Sequence, residues 1–223
     1  MTNTGRTLVR NCLLAVALLG AGASVAAATP AQVAAFFRAV QLDDVKTVRE
    51  LVGREVNANE INPVGGEPAL VLALREDAMK VFEALLAHPG TDLEAQAMNG
   101  NTALMMAAFK RNQPAVLALL GKGARVNRPG WTALHYAAAS GDDEIARLLL
   151  ERKAALDAVS PRASGAYTPL MMAAREGKAS TASLLLEQGA DARLKNAEGL
   201  TAAQVAERAG HTRIAAAIAG FKR

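Results

Sequence analysis

Through most of the chain, apolar residues fall at helical spacing in short segments, with polar or glycine-bearing stretches between them. Leu134, Ala137 and Ala138 share one face of a first segment, and Ile145, Leu148 and Leu149 share one face of the next. Gly141 stands between the two, where a residue able to take a positive φ would turn the chain. The pattern therefore predicts pairs of short helices. Neither helix of a pair can bury its apolar side alone, so neighbouring pairs must stack into a common core.

The pairs are copies of one another. Thr102-Ala103-Leu104-Met105-Met106-Ala107-Ala108 recurs as Thr132-Ala133-Leu134-His135-Tyr136-Ala137-Ala138, and again as Thr168-Pro169-Leu170-Met171-Met172-Ala173-Ala174. A weaker copy is Thr201-Ala202-Ala203-Gln204-Val205-Ala206. Nine residues after the threonine stands Gly141, Gly177 or Gly210, with Arg111 as the exception. Leu148-Leu149, Leu184-Leu185, Ala118-Leu119 and Ala217-Ile218 occupy one position of the second helices, and Gly189-Ala190-Asp191 closes a unit.

These residues resemble ankyrin repeats, whose signature is Thr-Pro-Leu-His-x-Ala at a period of about 33 residues. The fit is closest at Thr132–His135 and Thr168–Leu170. Glu67-Pro68-Ala69-Leu70 opens an earlier copy, and Ala34–Asn59 reads as a first, diverged one. The resemblance implies an all-α ankyrin-repeat solenoid of about six helix-turn-helix units linked by β-turn fingers. Residues 29–223 form the domain, with repeats near 34–66, 67–98, 99–128, 129–163, 164–196 and 197–223. The motif threonine is placed to cap each first helix. Glu207, Arg208, Arg213, Lys222 and Arg223 suit a polar C-terminal cap.

Composition agrees with closely packed small helices, since 51% of the 223 residues are apolar but only 4% are aromatic. Alanine and leucine supply the bulk of the core instead. The formal charge is +4, and beyond residue 28 the chain holds 23 basic and 21 acidic residues, interspersed along its length. Nucleic acid would call for a clustered basic face, so it is not an expected partner.

The first 28 residues read as a secretory signal peptide. Arg6 and Arg10 precede the apolar run Cys12–Ala23, and Ala26 and Ala28 provide small residues at −3 and −1 of a cleavage after Ala28. Cys12–Ala28 is 17 residues long, which also leaves open an uncleaved anchor that would tether the domain to a membrane. Cys12 is the only cysteine, so a chain starting at Thr29 has no disulfide or thiol chemistry and suits an oxidising compartment. A bacterial periplasm is the expected location.

The fingers differ in length. Gly90 to Thr102 and Gly189 to Thr201 both span 12 positions, Gly123 to Thr132 only 9, and Lys153 to Thr168 15. Surface loops tolerate such drift, but a short finger beside a long one would also reshape a groove. The resemblance implies that fingers and first helices line a concave binding face. On it fall Asn101, Trp131 and Tyr167, just before their threonines, and Phe109, Lys110 and Arg175 at first-helix ends. Trp131 is the sole tryptophan, and large aromatic side chains and arginine commonly dominate interface energy. Folding of Trp131 and Tyr167 back onto neighbouring repeats is the competing reading.

Other chemistry finds little support. Met105-Met106 and Met171-Met172 occupy the register position of His135-Tyr136 and read as core filler, not as a copper site. His135 matches the family's structural histidine, His211 follows a turn glycine, and His88 stands apart. No nucleophile elbow or phosphate loop is present. The expectation is a monomeric, non-catalytic module without metal or cofactor that binds a protein. The resemblance extends to exported bacterial ankyrin-repeat proteins, which implies a stress-related periplasmic enzyme as one possible partner class. An enzyme built on the frame would need a clustered acid, base and nucleophile.

Overall fold

The computed structural model describes residues 28–222; Met1–Ala27, where nearly all of the expected export signal falls, and Arg223 lie outside the described residues. Six helix pairs follow one another. They are α1 (Pro30–Gln41) with α2 (Val45–Leu51), α3 (Ala69–Arg75) with α4 (Met79–Ala87), and α5 (Ala103–Phe109) with α6 (Gln113–Gly121). Then come α7 (Ala133–Ser140) with α8 (Asp143–Glu151), α9 (Pro169–Arg175) with α10 (Ala179–Glu187), and α11 (Ala202–Arg208) with α12 (Thr212–Gly220). Among the described residues there is no strand, only isolated bridges between Val52 and Val56 and between Ile61 and Pro68.

The first helices α1, α3, α5, α7, α9 and α11 contact one another in chain order, forming one row. A second row contains α6, α8, α10 and α12, with α2 against α4. The shared core lies between and within the rows. Leu70, Leu104, Leu134 and Leu170 from the motif position are buried there, beside Leu85, Leu119, Leu149 and Leu185 from the second helices. Met105 and Met171 are buried in the same core, as the reading of methionine as filler expects. The solenoid is thus all-α, with six units.

Tight turns set the angle within each pair. Gly141 and Gly177 take φ of 76° and 70°, a region open to glycine at little steric cost. Arg111, which breaks the glycine pattern, adopts the same left-handed turn at φ 56°, as do Asp43 and Asp77. Close packing across repeats adds a second demand at Gly177, because a Cβ there would lie 2.8 Å from the His211 ring. His88 covers Gly53 similarly and accepts the Gly90 N–H at Nδ1.

The expected threonine caps form at some repeats only. Met171 N–H donates to Thr168 Oγ1 and Gln204 N–H to Thr201 Oγ1, whereas Thr102 makes no such bond. Thr132 is held instead by His135, whose Nδ1 accepts its backbone N–H at 3.2 Å and lies 2.9 Å from its hydroxyl.

Candidate protein-binding site

His135 fixes the centre of the first-helix face. Its Nδ1 accepts from Thr132, so Nε2 carries the hydrogen and donates to the Tyr167 carbonyl of the next repeat at 3.0 Å. One neutral ring therefore ties the start of α7 to the finger ahead of α9. Burial lowers its pKa to about 4, against the opposing pull of the Tyr167 and Ala158 carbonyls. The ring also supports Trp131, whose indole stands edge-on to it with centroids 5.2 Å apart.

Trp131 opens onto a small aromatic cluster. Tyr136 lies 6.0 Å from it at a tilt of 52°, and Phe109 meets Tyr136 edge-on at 6.1 Å and 86°. These rings, with Ala139, Met172, Arg175 and Glu176, line a hollow of about 310 Å³ spanning α5, α7 and α9. Phe109 is 53% exposed at its rim. Arg175 pairs with Glu176 through Nε at 2.9 Å, and its guanidinium lies 4.9 Å from the centre of the Tyr167 ring.

The fingers explain why this hollow is accessible. Four of them are closed by a backbone hydrogen bond: Asn62 to Glu67, Ala97 to Asn101, Ser160 to Tyr167 and Asn196 to Leu200, each N–H donating to the later carbonyl. Adjacent fingers also pair, Met98 N–H donating to Gly66 O and Ala197 N–H to Gly165 O. The shortened finger Arg128-Pro129-Gly130-Trp131 makes neither kind of backbone bond. Its link to the preceding finger is a side chain, Arg128 Nη1 donating to Gly100 O at 3.2 Å. Three missing residues thus interrupt the finger row at Trp131.

The residues singled out from sequence do not all share this place. Trp131, Phe109 and Arg175 line the hollow together. Tyr167 is next to it but folds back over Gly165, beneath Arg175. Asn101 is only 8% exposed and accepts the Tyr136 hydroxyl at 2.5 Å, so it positions Tyr136 from below. Lys110 turns toward the preceding repeat, donating to Arg75 O and pairing with Asp77 at 2.8 Å. Tyr136, which sequence reasoning passed over, is central. Its signal was present: it fills the variable x of the motif, one residue from a buried histidine and therefore on the outward edge of α7. Burial raises its pKa, and the bond to Asn101 offsets part of that rise.

A larger hollow lies elsewhere, about 580 Å³ near the first repeat, between Ala28, the Gly53–Glu60 loop and His88. Among the described residues no group of three or more His, Cys, Asp or Glu side chains is placed to hold a metal, and no helix is long and apolar enough to cross a membrane.

Comparison with known proteins agrees with the repeat register. The family model for ankyrin repeats in three copies matches residues 36–129 and again 80–160, and the single ankyrin-repeat model matches 167–197. The chain is similar to human SH3 and multiple ankyrin repeat domains protein 2, 33% identical over 166 residues that cover 72% of this chain and 9% of that protein. It is also similar to human transient receptor potential cation channel subfamily A member 1, 29% identical over 68% of this chain and 14% of that one. Neurogenic locus notch homolog protein 1 of Xenopus tropicalis is 33% identical over 56% of this chain and 5% of its own length. The chain thus spans a small fraction of each of these relatives. With six helix pairs in register and family models matching most of its length, the chain belongs to the ankyrin-repeat family.

Proposed function

We propose that this chain is an exported, non-catalytic interaction module that binds a protein through the aromatic hollow on its first-helix face. Ankyrin repeats are protein-interaction modules, and the task here is to scaffold, protect or inhibit a partner. The observation that carries the assignment is the break in the finger row at Trp131, which leaves Trp131, Tyr136 and Phe109 around an open space. Aromatic side chains pinned by structural contacts lose little entropy on binding, so they are efficient anchors. Arg175 and Glu176 supply an exposed ion pair at the rim. Such pairs are worth about 0–1 kcal/mol, so a partner's polar groups can exchange with them at small cost.

Export to the periplasm rests on Arg6, Arg10, the apolar run and the Ala26/Ala28 pair. A start at Thr29 would also leave the first helix properly begun: Thr29 N–H donates to Gln32 Oε1 at 2.8 Å, and Gln32 N–H returns to Thr29 Oγ1. A periplasmic stress-related enzyme is the partner class to test first.

Affinity capture from periplasmic extract tests the reading, with the exported chain as bait beside its Phe109→Ala/Trp131→Ala variant. A protein held by the first and lost by a folded variant supports the hollow as the interface. Equal retention by both overturns it. Mass spectrometry of the bait's N-terminus gives Thr29 on this account, and an intact Met1 replaces export with a tethered module.

A further inference from the structure

The second helices α6, α8, α10 and α12 pack against one another in turn, so departures from their common register can be read directly. Between α8 and α10 side chains bridge the two helices. Leu184 is buried on α10, and Asp143 of α8 accepts hydrogen bonds from the hydroxyls of Ser180 and Thr181. One repeat later the equivalent residues are Ala217 for Leu184, Ser183 for Arg147 and Ala179 for Asp143. The larger side chain and the bridging hydrogen bonds are lost together. A groove of about 350 Å³ opens between α10 and α12, lined by Ala182, Leu186, Ile214, Ala217, Ile218 and Phe221 among others.

Two further residues give the groove a character. Phe221 is 40% exposed at its edge, in the position that His88, Lys122, Arg152 and Gln188 hold in earlier repeats. An aromatic ring thus stands where the earlier repeats carry a polar side chain. Arg213 lines the groove and makes no ion pair or side-chain hydrogen bond among the described residues. Lys222 follows directly on Phe221. The one carboxylate on α10, Glu187, is outside the lining, and α12 has none. The groove therefore combines apolar walls with Arg213 as the one charged residue of its lining.

We propose that this groove binds the alkyl tail of an anionic amphiphile, a fatty-acid-type carboxylate whose head pairs with Arg213. Charge selects an anion. The walls select an alkyl chain over an extended polypeptide, because such a strand would bring backbone N–H and C=O groups needing partners. Apart from Ser183 and Arg213 the lining offers side chains that cannot provide them. Burial of successive methylenes supplies the affinity, and Arg213 orients the chain. The site is separate from the aromatic hollow on the opposite row of helices.

The test is titration of the full chain with decanoate, followed by the methyl NMR signals of Ala182, Ile214 and Ile218. The expected result is saturable one-to-one binding with shifts confined to these methyls. Ala217→Leu restores the register residue of the two preceding repeats, so it fills the groove without breaking the fold, and should weaken binding about tenfold or more. Arg213→Gln should weaken it about three- to tenfold, and decyltrimethylammonium should bind more weakly than decanoate. Absence of saturable shifts overturns the proposal. So does binding that Ala217→Leu leaves unchanged, equal binding of the cationic amphiphile, or preference for an apolar-acidic peptide over decanoate.

Discussion

Acid should loosen this solenoid through His135 more than through any other histidine. The ring is fully buried, neutral and bonded on both sides, with its pKa lowered to about 4 from an ordinary 6.5. A histidine with a depressed folded pKa binds its proton more readily in the unfolded chain. Its stabilising contribution is therefore complete above the unfolded pKa of 6.5 and is lost as pH falls toward about 4. Between about pH 7 and about pH 5 this linkage removes about 2 kcal/mol, and the full shift is worth about 3 kcal/mol. Carboxylates titrate over the lower part of the same range, so a control is needed.

His135→Gln supplies it. Gln204 already occupies the same motif position in the last repeat, where its Oε1 accepts the Thr201 N–H at 2.9 Å. At neutral pH the variant should lose about 0.5–1.5 kcal/mol, because the Tyr167 carbonyl loses one of its two donors and keeps the Ser160 N–H. Its stability should then fall less steeply with acid than the native chain's, by about 2 kcal/mol at about pH 5. Urea unfolding at several pH values measures the difference, and the ring proton signals of His135 report its pKa directly. Parallel pH profiles for the two proteins, or a ring titrating near 6.5, would refute the reasoning.

Two further substitutions separate fold from binding. Lys153 holds φ 65° where the equivalent Gly123 and Gly189 take 94° and 100°. Lys153→Gly should relieve that strain and raise stability by about 0.5–1 kcal/mol in thermal unfolding, its carbonyl still accepting from Asn127. Tyr136→Phe leaves the buried Asn101 Oδ1 without its donor and should cost about 1–2 kcal/mol of stability, yet it preserves the ring that lines the hollow. It should therefore lower the melting temperature while retaining the captured partner.

Repetition made the fold legible. Four copies of the motif set the register, and once Leu134 and Leu149 are placed, Leu170 and Leu185 follow. Even Arg111, which looked like an exception, obeys the backbone demand of its turn. The finger lengths located the interruption at Trp131, but length alone could not show that the backbone closing bond disappears and that Arg128 replaces a rung. The site itself was less legible, because its residues are selected by contacts across repeats. Asn101 is buried by Tyr136, 35 residues away, and Lys110 is drawn to Asp77, 33 residues away. Tyr167 lies over Gly165 because the long finger turns back at that glycine. Those outcomes depend on neighbouring repeats and not on any single motif. In the last repeat Glu207, Arg208, Arg213 and Lys222 are exposed, as a polar cap expects, while Arg223 lies outside the described residues; Phe221 and Ala217 add an apolar groove that only comparison by register brings out.

The most direct test of the central claim is site-specific photo-crosslinking in living cells. A photoreactive residue replaces Phe109 on the first-helix face, or Leu117, an exposed position on the second-helix row. The account predicts a discrete adduct with one protein at position 109 and none at 117. An adduct at 117 alone, or none at either position, would contradict binding through the aromatic hollow.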